Sequence, residues 1–384
     1  MKKSANHQPS VALVYDRVNT PHGGAEKVLL ALHQLYPEAP LYTSLYDPER
    51  ASWAKNFQVI ASPLNKFKPL RNLHRWLAML MPIVFESFNL KKYDIVISVT
   101  SAEAKGVLTQ PDQLHFCYLL TPPRYLYHER QHSLESHWLL RLPISKQLAT
   151  TFLKYLRWWD QAAIYRPDAI VPISQRVAKR AGEFYQGVSV NEVIYPPVDL
   201  PKQQTGQGKK DYLLIISRLV SHKHLDQAIR ACAELGKQLI IVGEGPEKQR
   251  LQALTKRLQA PVKFAGRTSQ EELTKLYQNC QAVLMPGEED FGIVALEANS
   301  FGKPAIINHN SGAAELIGPE IHGLHLVSPS AANIAKTIKQ LEGKKFSASK
   351  IMENPLKYTT ARFLNVFDKA VQQAWQAKQK ANNE

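Results

Sequence analysis

The chain is short of cysteine and of negative charge. Its three cysteines, Cys117, Cys232 and Cys280, stand far apart. They make neither a metal-ligand spacing nor a disulfide framework, which fits a reducing cytoplasm. Asp and Glu number 33 against 48 Lys and Arg, a formal charge of +15. That deficit points to an anionic partner: a phosphorylated ligand, an anionic lipid or nucleic acid. No nucleic-acid module is visible, so nucleic acid is not expected. No apolar run of roughly 18 residues occurs, which argues against a spanning helix. Met1 to Pro9 is polar and lacks the apolar core of a signal peptide. Internal repeats and low-complexity tracts are also missing.

What is there is a chain of 384 residues, long enough for two domains. Hydrophobic residues make up 44% and charged residues 21%, the balance of a packed protein. Short apolar runs alternate with helical segments, the rhythm of a doubly wound α/β sheet. In the first half the expected strands are Val11–Tyr15, Leu41–Leu45, Val59–Ala61, Ile95–Val99, Phe116–Leu120 and Asp168–Pro172. The proline-rich Tyr195–Asp199 and the polar run Pro201–Lys210 read as a linker. The rhythm then restarts with strands at Tyr212–Ser217 and Leu239–Val242, a strand and turn over Val262–Arg267, and strands at Ala282–Met285 and Lys303–Ile307.

Several loops beyond strand ends carry chemistry, and in parallel sheets ligands sit there. After the first strand, Asp16 opens a loop leading to Gly23-Gly24-Ala25-Glu26-Lys27 and an apolar helix. A glycine pair lets a ligand approach the backbone, although the full dinucleotide fingerprint is missing. Thr121-Pro122-Pro123-Arg124-Tyr125 follows another strand, and Arg124 is a candidate anion or acceptor contact. Ser174 is a plausible helix N-cap. Arg218 and Lys223 lie just past the Tyr212–Ser217 strand, where two cations could clamp a diphosphate.

Met285 to Ala298 organises the rest. It holds Glu289 and Glu297, with seven residues between them, in a strand, Gly-containing turn and helix start. Helix-start amides attract anions. A carboxylate only accepts hydrogen bonds and so suits a hydroxyl-rich ligand. Together these describe a site for a nucleotide-sugar.

Two stretches, Asn65–Lys92 and Ile144–Arg166, mix basic, aromatic and apolar residues. The first carries Lys66, Lys68, Arg71 and Arg75 with Trp76. In the second, Ile144, Leu148, Phe152, Tyr155, Leu156 and Trp159 recur at helical spacing. Either stretch can lie on an anionic membrane or turn its apolar stripe to a core.

In order, the second half resembles the donor domain of the retaining glycosyltransferases grouped as family 4. The matching pieces are Ser217-Arg218 with Lys223, Gly243-Glu244-Gly245-Pro246, Phe264-Ala265-Gly266-Arg267, Pro286 to Gly292, Glu297-Ala298 and Gly302-Lys303-Pro304. The first half is similar to the branch of bacterial O-antigen and exopolysaccharide mannosyltransferases, through Gly23 to Lys27, Leu41-Tyr42-Thr43 and Thr121 to Tyr125. The resemblance implies the GT-B fold, two Rossmann-like domains facing across a cleft, with residues 1–198 for the acceptor and 199–357 for the donor. The tail, 358–384, would cross back to the first domain.

By that resemblance a hexose, mannose first, moves with retention from a nucleotide-diphosphate-sugar to a lipid-linked or glycan acceptor. No metal or other cofactor is implied, and the nucleotide-sugar is a substrate. Arg218 and Lys223 would neutralise the diphosphate, and Glu289 would hold the hexose as a catalytic group. Glu297 would hold the ribose. Gly24, Gly243, Phe291, Gly292 and Ile293 would line the donor site, and Asp16, Gly23, Arg124 and Tyr125 the acceptor site. The implied place is the cytoplasmic face of the membrane, peripherally bound. The chain departs from the pattern at Leu120, where His is usual, at Asn299-Ser300, where a small apolar pair is usual, and at Ser311, where Gly is common. Leu120 keeps open a second expectation, a nucleotide-sugar-binding partner of another transferase that transfers little or nothing itself.

Overall fold

The computed structural model describes residues 9–21, 23–67, 77–127, 143–200 and 212–382. The linker run Pro201–Lys210, the start of the chain through residue 8, and Lys68, Arg71, Arg75, Trp76 and Trp138 lie outside them. The chain divides into two compact units, 1–196 with 363–384, and 197–362.

The first unit is built on a six-stranded parallel sheet in the order β3-β2-β1-β4-β5-β6. The strands are β1 (Val11–Tyr15), β2 (Leu41–Thr43), β3 (Val59–Ala61), β4 (Ile95–Thr100), β5 (Leu114–Leu119) and β6 (Ala169–Pro172). Every residue of β4, β5 and β6 is buried. Buried parallel strands need both faces covered, so their sequences read as apolar runs without alternation. Helices α1 (Gly24–Leu35), α2 (Met81–Glu86), α3 (Arg124–Tyr127), α4 (Pro143–Ala163) and α5 (Gln175–Phe184) follow in this unit. Ser174 caps α5, its hydroxyl accepting from Val177 N at 3.1 Å. Strand β5, expected to run to Leu120, ends at Leu119. Leu120 still bonds the neighbouring strand end through its N–H to Thr100 O at 2.8 Å.

The second unit repeats the plan, in the order β12-β11-β10-β7-β8-β9. Its strands are β7 (Tyr212–Ile216), β8 (Gln238–Val242), β9 (Val262–Gly266), β10 (Ala282–Met285), β11 (Ala305–Asn308) and β12 (Gly323–Leu326). Sequence reasoning missed β12. It is four residues long and contains a glycine and a histidine, so neither length nor composition marks it. Gly323 is required there, because a Cβ would stand 1.9 Å from Ala305 O on β11. The helices are α6 (Leu225–Leu235), α7 (Lys248–Arg257), α8 (Gln270–Asn279), α9 (Ile293–Ser300), α10 (Ala313–Leu316), α11 (Ala331–Glu342) and α12 (Ala348–Glu353). Ser269 and Glu272 form a full capping box on α8. The last helix, α13 (Thr360–Ala381), packs on the first sheet. There Phe367 meets Phe116 at 5.3 Å and Tyr118 at 5.4 Å between ring centroids. Lys378 binds Asp168 at 2.7 Å.

The two basic-aromatic stretches divide between core and surface. In α2, Met81, Val84 and Phe85 are buried, while Ile83 is exposed. In α4, Leu156 and Trp159 are buried, and Trp159 Nε1 donates to Glu86 Oε1 at 2.7 Å. Phe152, Tyr155 and Trp158 are exposed on the same helix. Trp159 is therefore a core residue and Trp158, next to it, the surface aromatic. A step of one residue turns a helical side chain by about 100°. No helix among the described residues is long and apolar enough to cross a membrane.

Candidate functional site

Both sheets have the strand order of a doubly wound fold, so each has one point where the order reverses. In the second unit it lies between β7 and β10. The loop after β7 carries Arg218 and Lys223, and the loop after β10 carries Gly287 to Gly292. Lys223 is buried at 8% exposure, and its Nζ meets Glu289 Oε1 at 2.5 Å and the Glu288 carbonyl at 3.3 Å. Two groups singled out from sequence 66 positions apart thus form one ion pair across the reversal point. Arg218, earlier on the loop after β7, is exposed.

Glycines allow this approach. A Cβ on Gly287 would stand 2.6 Å from Lys223 Cα, against backbone that cannot yield. Gly243, at the end of β8, has φ +131° and would drive a Cβ to 2.0 Å from Ser217 O. Gly292 caps α9 in the left-handed region, φ +108°. Phe291 is buried and Ile293 begins α9, so the first amides of that helix stand at the rim.

Glu289 is held through its backbone. Its N–H reaches Ser311 Oγ at 3.2 Å, and its carbonyl accepts from Gly312 N at 2.8 Å. The serine where glycine is common thus clamps the glutamate's loop. Asn299, another departure, is fully buried and satisfied: its Nδ2 donates to Lys303 O and His322 O, and its Oδ1 accepts from Asn354 at 2.9 Å. Glu297, one turn into α9, accepts from Tyr277 OH at 2.6 Å. Burial first, then the Glu297 carboxylate, holds the Tyr277 phenol well above its usual pKa. The Tyr277 ring stacks on Phe301 at 5.3 Å. Neither Tyr277 nor the Lys223–Glu289 contact was legible beforehand.

In the first unit the order reverses between β1 and β4. Asp16 follows β1 and is 4% exposed. Its carboxylate accepts from Thr100 Oγ1 (2.9 Å), Ala104 N (2.8 Å), Ser101 N (2.7 Å) and Ser101 Oγ (3.2 Å). A carboxylate has about four acceptor positions, so Asp16 is saturated. Asp16 thereby anchors the loop after β4. Gly23 is the extended N-cap of α1 and Gly24 its exposed first residue. Arg124 and Tyr125 open α3, and Tyr125 OH donates to Glu103 Oε1 at 2.6 Å.

Glu103 was not singled out from sequence. It is 7% exposed, beyond the end of β4. Burial, then the Asp16 carboxylate, pushes its pKa up to about 7, against the opposing pull of the Tyr125 hydrogen bond, Arg17 and Lys105. Lys105 itself is fully buried and bonded to Asp160 and to Ala102 O. The hydroxyls of Tyr127 and Tyr185 each reach Asp160 Oδ2 at 2.8 Å.

The architecture, two six-stranded parallel sheets flanked by helices, is the α/β fold of GT-B glycosyltransferases. A sucrose-phosphate synthase of Thermosynechococcus elongatus superposes with TM-score 0.73 at 14% identity, over 96% of this chain and 100% of that one. Anabaena HepE, solved with UDP and glucose, gives 0.67 at 18%, over 95% and 100%. The lipopolysaccharide outer core galactosyltransferase WaaB gives 0.64 at 17%, over 94% and 99%. Residues 199–357 match the family model described as "Glycosyl transferases group 1". An uncharacterized glycosyltransferase of Methanocaldococcus jannaschii is 31% identical over 136 residues, 34% of this chain and 35% of that protein. A GDP-mannose-dependent alpha-(1-6)-phosphatidylinositol dimannoside mannosyltransferase of Mycobacterium tuberculosis is 35% identical over 112 residues, 27% of this chain and 29% of that protein. The chain thus spans about a third of the length of these curated relatives.

Proposed function

We propose that the protein is a retaining glycosyltransferase that takes a hexose from a nucleotide-diphosphate-sugar. GDP-mannose is the first donor to test, and a lipid-linked or glycan molecule of cell-surface polysaccharide synthesis is the acceptor. The observation that carries this reading is the Lys223–Glu289 pair at the reversal point of the second sheet. A diphosphate there would meet Lys223, Arg218 and the first amides of α9, and the attached sugar would meet Glu289. Charge that grows on the leaving diphosphate is then opposed by groups already in place, so the transition state gains more than the ground state. Glu297 would take the ribose hydroxyls. The reading calls for no metal or cofactor beyond the substrate. Support for mannose comes from the mycobacterial relative, whose name specifies GDP-mannose, and for nucleotide-sugars in general from HepE, solved with UDP-glucose.

The exposed Phe152, Tyr155 and Trp158 of α4, with Lys154 and Arg157 among them, favour attachment to an anionic inner membrane surface, where a lipid-linked acceptor keeps its head group. Leu120 favours a second reading, a nucleotide-sugar-binding partner without turnover, since leucine offers no hydrogen bond.

A thermal-shift panel of nucleoside diphosphates and their sugars names the donor, because a ligand of the native state raises the midpoint by mass action. Transfer to a lipid extract, present in the parent and lost in Glu289→Ala, supports the transferase. Donor binding with no transfer selects the second reading, and no shift with any nucleotide overturns both.

A further inference from the structure

The rims of the two sheets differ in what they offer a ligand, and Glu103 is a buried carboxyl of the first unit whose bond from Tyr125 engages only Oε1. We infer that Glu103 and Tyr125 together receive a hydroxyl of a polyhydroxylated ligand, the sugar end of the acceptor. This rests on the transferase reading.

The two residues follow β4 and β5, next to the reversal point, where ligands of doubly wound sheets bind. The neighbouring Asp16 is saturated by four hydrogen bonds. Among the described residues only Tyr125 OH bonds the Glu103 carboxyl, and only at Oε1. Tying the loop to α3 needs a single acceptor, which an uncharged glutamine would supply. A second carboxyl buried against Asp16 carries an electrostatic cost, and such costs concentrate where ligands bind or react. The charged and titratable groups around it are Asp16, Arg17, Tyr125 and Lys105. Lys105 is committed to Asp160, and among the described residues no ion pair to Glu103 is made.

The chemistry selects the ligand class. The Tyr125 proton points at Glu103, so its oxygen has only lone pairs to offer. The ionised Glu103 likewise only accepts. Such a pair welcomes hydroxyl donors and repels phosphate, the opposite of the Lys223 rim. The bond from a sugar hydroxyl is strongest to the ionised carboxylate. Acceptor affinity should therefore rise as pH rises through neutrality.

The test measures transfer from radiolabelled GDP-mannose and UDP-glucose to a bacterial lipid extract, at several pH values from roughly 6 to 8, a range chosen to bracket neutrality. Parent, Glu103→Gln and Tyr125→Phe are compared, and the affinity of each for GDP and UDP is measured by calorimetry. The expected result in Glu103→Gln is an acceptor KM about 10-fold higher, as for a lost charged hydrogen bond, with the loss on KM rather than kcat. Parent KM should fall with pH, and the variant's should be flat. GDP and UDP affinity should not change. Tyr125→Phe should raise KM in the same direction while keeping the ring in place. It carries the test if the glutamine variant does not fold. An unchanged KM and pH profile in both variants overturns this assignment and leaves the transferase standing. A loss of nucleotide affinity and kcat together, at every pH, also overturns it in favour of a structural bond. If the parent transfers from neither donor, the assignment falls with the reading beneath it.

Discussion

The two sheets share one strand order, yet their rims are chemical opposites. At the β7/β10 reversal, glycines bring Lys223 against Glu289, with Arg218 and the start of α9 on the adjoining loops. At the β1/β4 reversal, carboxylates and phenols crowd together, and the nearby lysine is turned into the interior toward Asp160. Topology fixes where a ligand can sit, and side chains choose which ligand. The Lys223–Glu289 pair of the second unit lies at the rim, whereas the Lys105–Asp160 pair of the first unit is buried.

That contrast can be broken most sharply at Asp160. Asp160→Ala leaves Lys105 buried without its carboxylate, and losing one partner of a buried pair costs roughly 3–5 kcal/mol. Urea unfolding should show that loss, while GDP or UDP affinity, which the proposed function places in the other unit, should hold in the folded fraction. Equal damage to nucleotide binding would erase the proposed division between the rims. Next in size, Lys223→Ala and Arg218→Ala should weaken nucleoside diphosphate binding by about 1.5–3 kcal/mol and spare the bare nucleoside. Calorimetry on both ligands decides it, since equal losses would place the cations away from the phosphates.

Glu103 sharpens the comparison through pH. Its folded pKa, about 7, lies above the ordinary carboxyl value of 4.5. The native state thus holds a proton that the unfolded chain has released. Stability should therefore fall as pH rises through that window, and level off above it. Glu103→Gln should remove this slope and leave the protein more stable by roughly 3 kcal/mol at alkaline pH. Denaturant midpoints measured across the window test it, and a parallel slope in the variant assigns the pH dependence elsewhere.

The two glutamates of the second rim should separate by roughly 1–2 kcal/mol in opposite assays, the scale of single hydrogen bonds. Glu297→Gln should weaken both nucleotide and nucleotide-sugar. Glu289→Gln should keep nucleotide diphosphate binding and lose sugar-dependent binding or turnover. Identical behaviour in both assays refutes the assignment. The smallest effect per residue is at the surface. Sedimentation with anionic liposomes should weaken with salt and fall when Lys66, Lys68, Arg71 and Arg75 become Ser, by roughly 1 kcal/mol per charge. Trp158→Ser should weaken it and Trp159→Phe should not, because only Trp158 is exposed. Equal binding to neutral liposomes would leave α4 as an ordinary surface helix.

The sequence by itself determined the doubly wound class, most strands to within one or two residues, and the loops that carry the candidate groups. These are local properties: buried parallel strands need unbroken apolar runs, and close backbone approach needs glycine at a particular place. It also marked Arg218, Lys223, Glu289 and Glu297 as one kind of chemistry, because their residue types and order match a known pattern. Only the tertiary structure decided that Lys223 and Glu289 touch, that Tyr277 supports Glu297, and that Asn299 is paid for by Asn354. It alone decided that Asp16 is filled by the β4 loop and that Trp159 faces the core while Trp158 faces solvent. Contact between distant residues, and the pKa of a carboxyl such as Glu103, depend on which strands lie side by side. Strand adjacency joins segments such as Val11 and Ile95, 84 residues apart, and no local pattern records it.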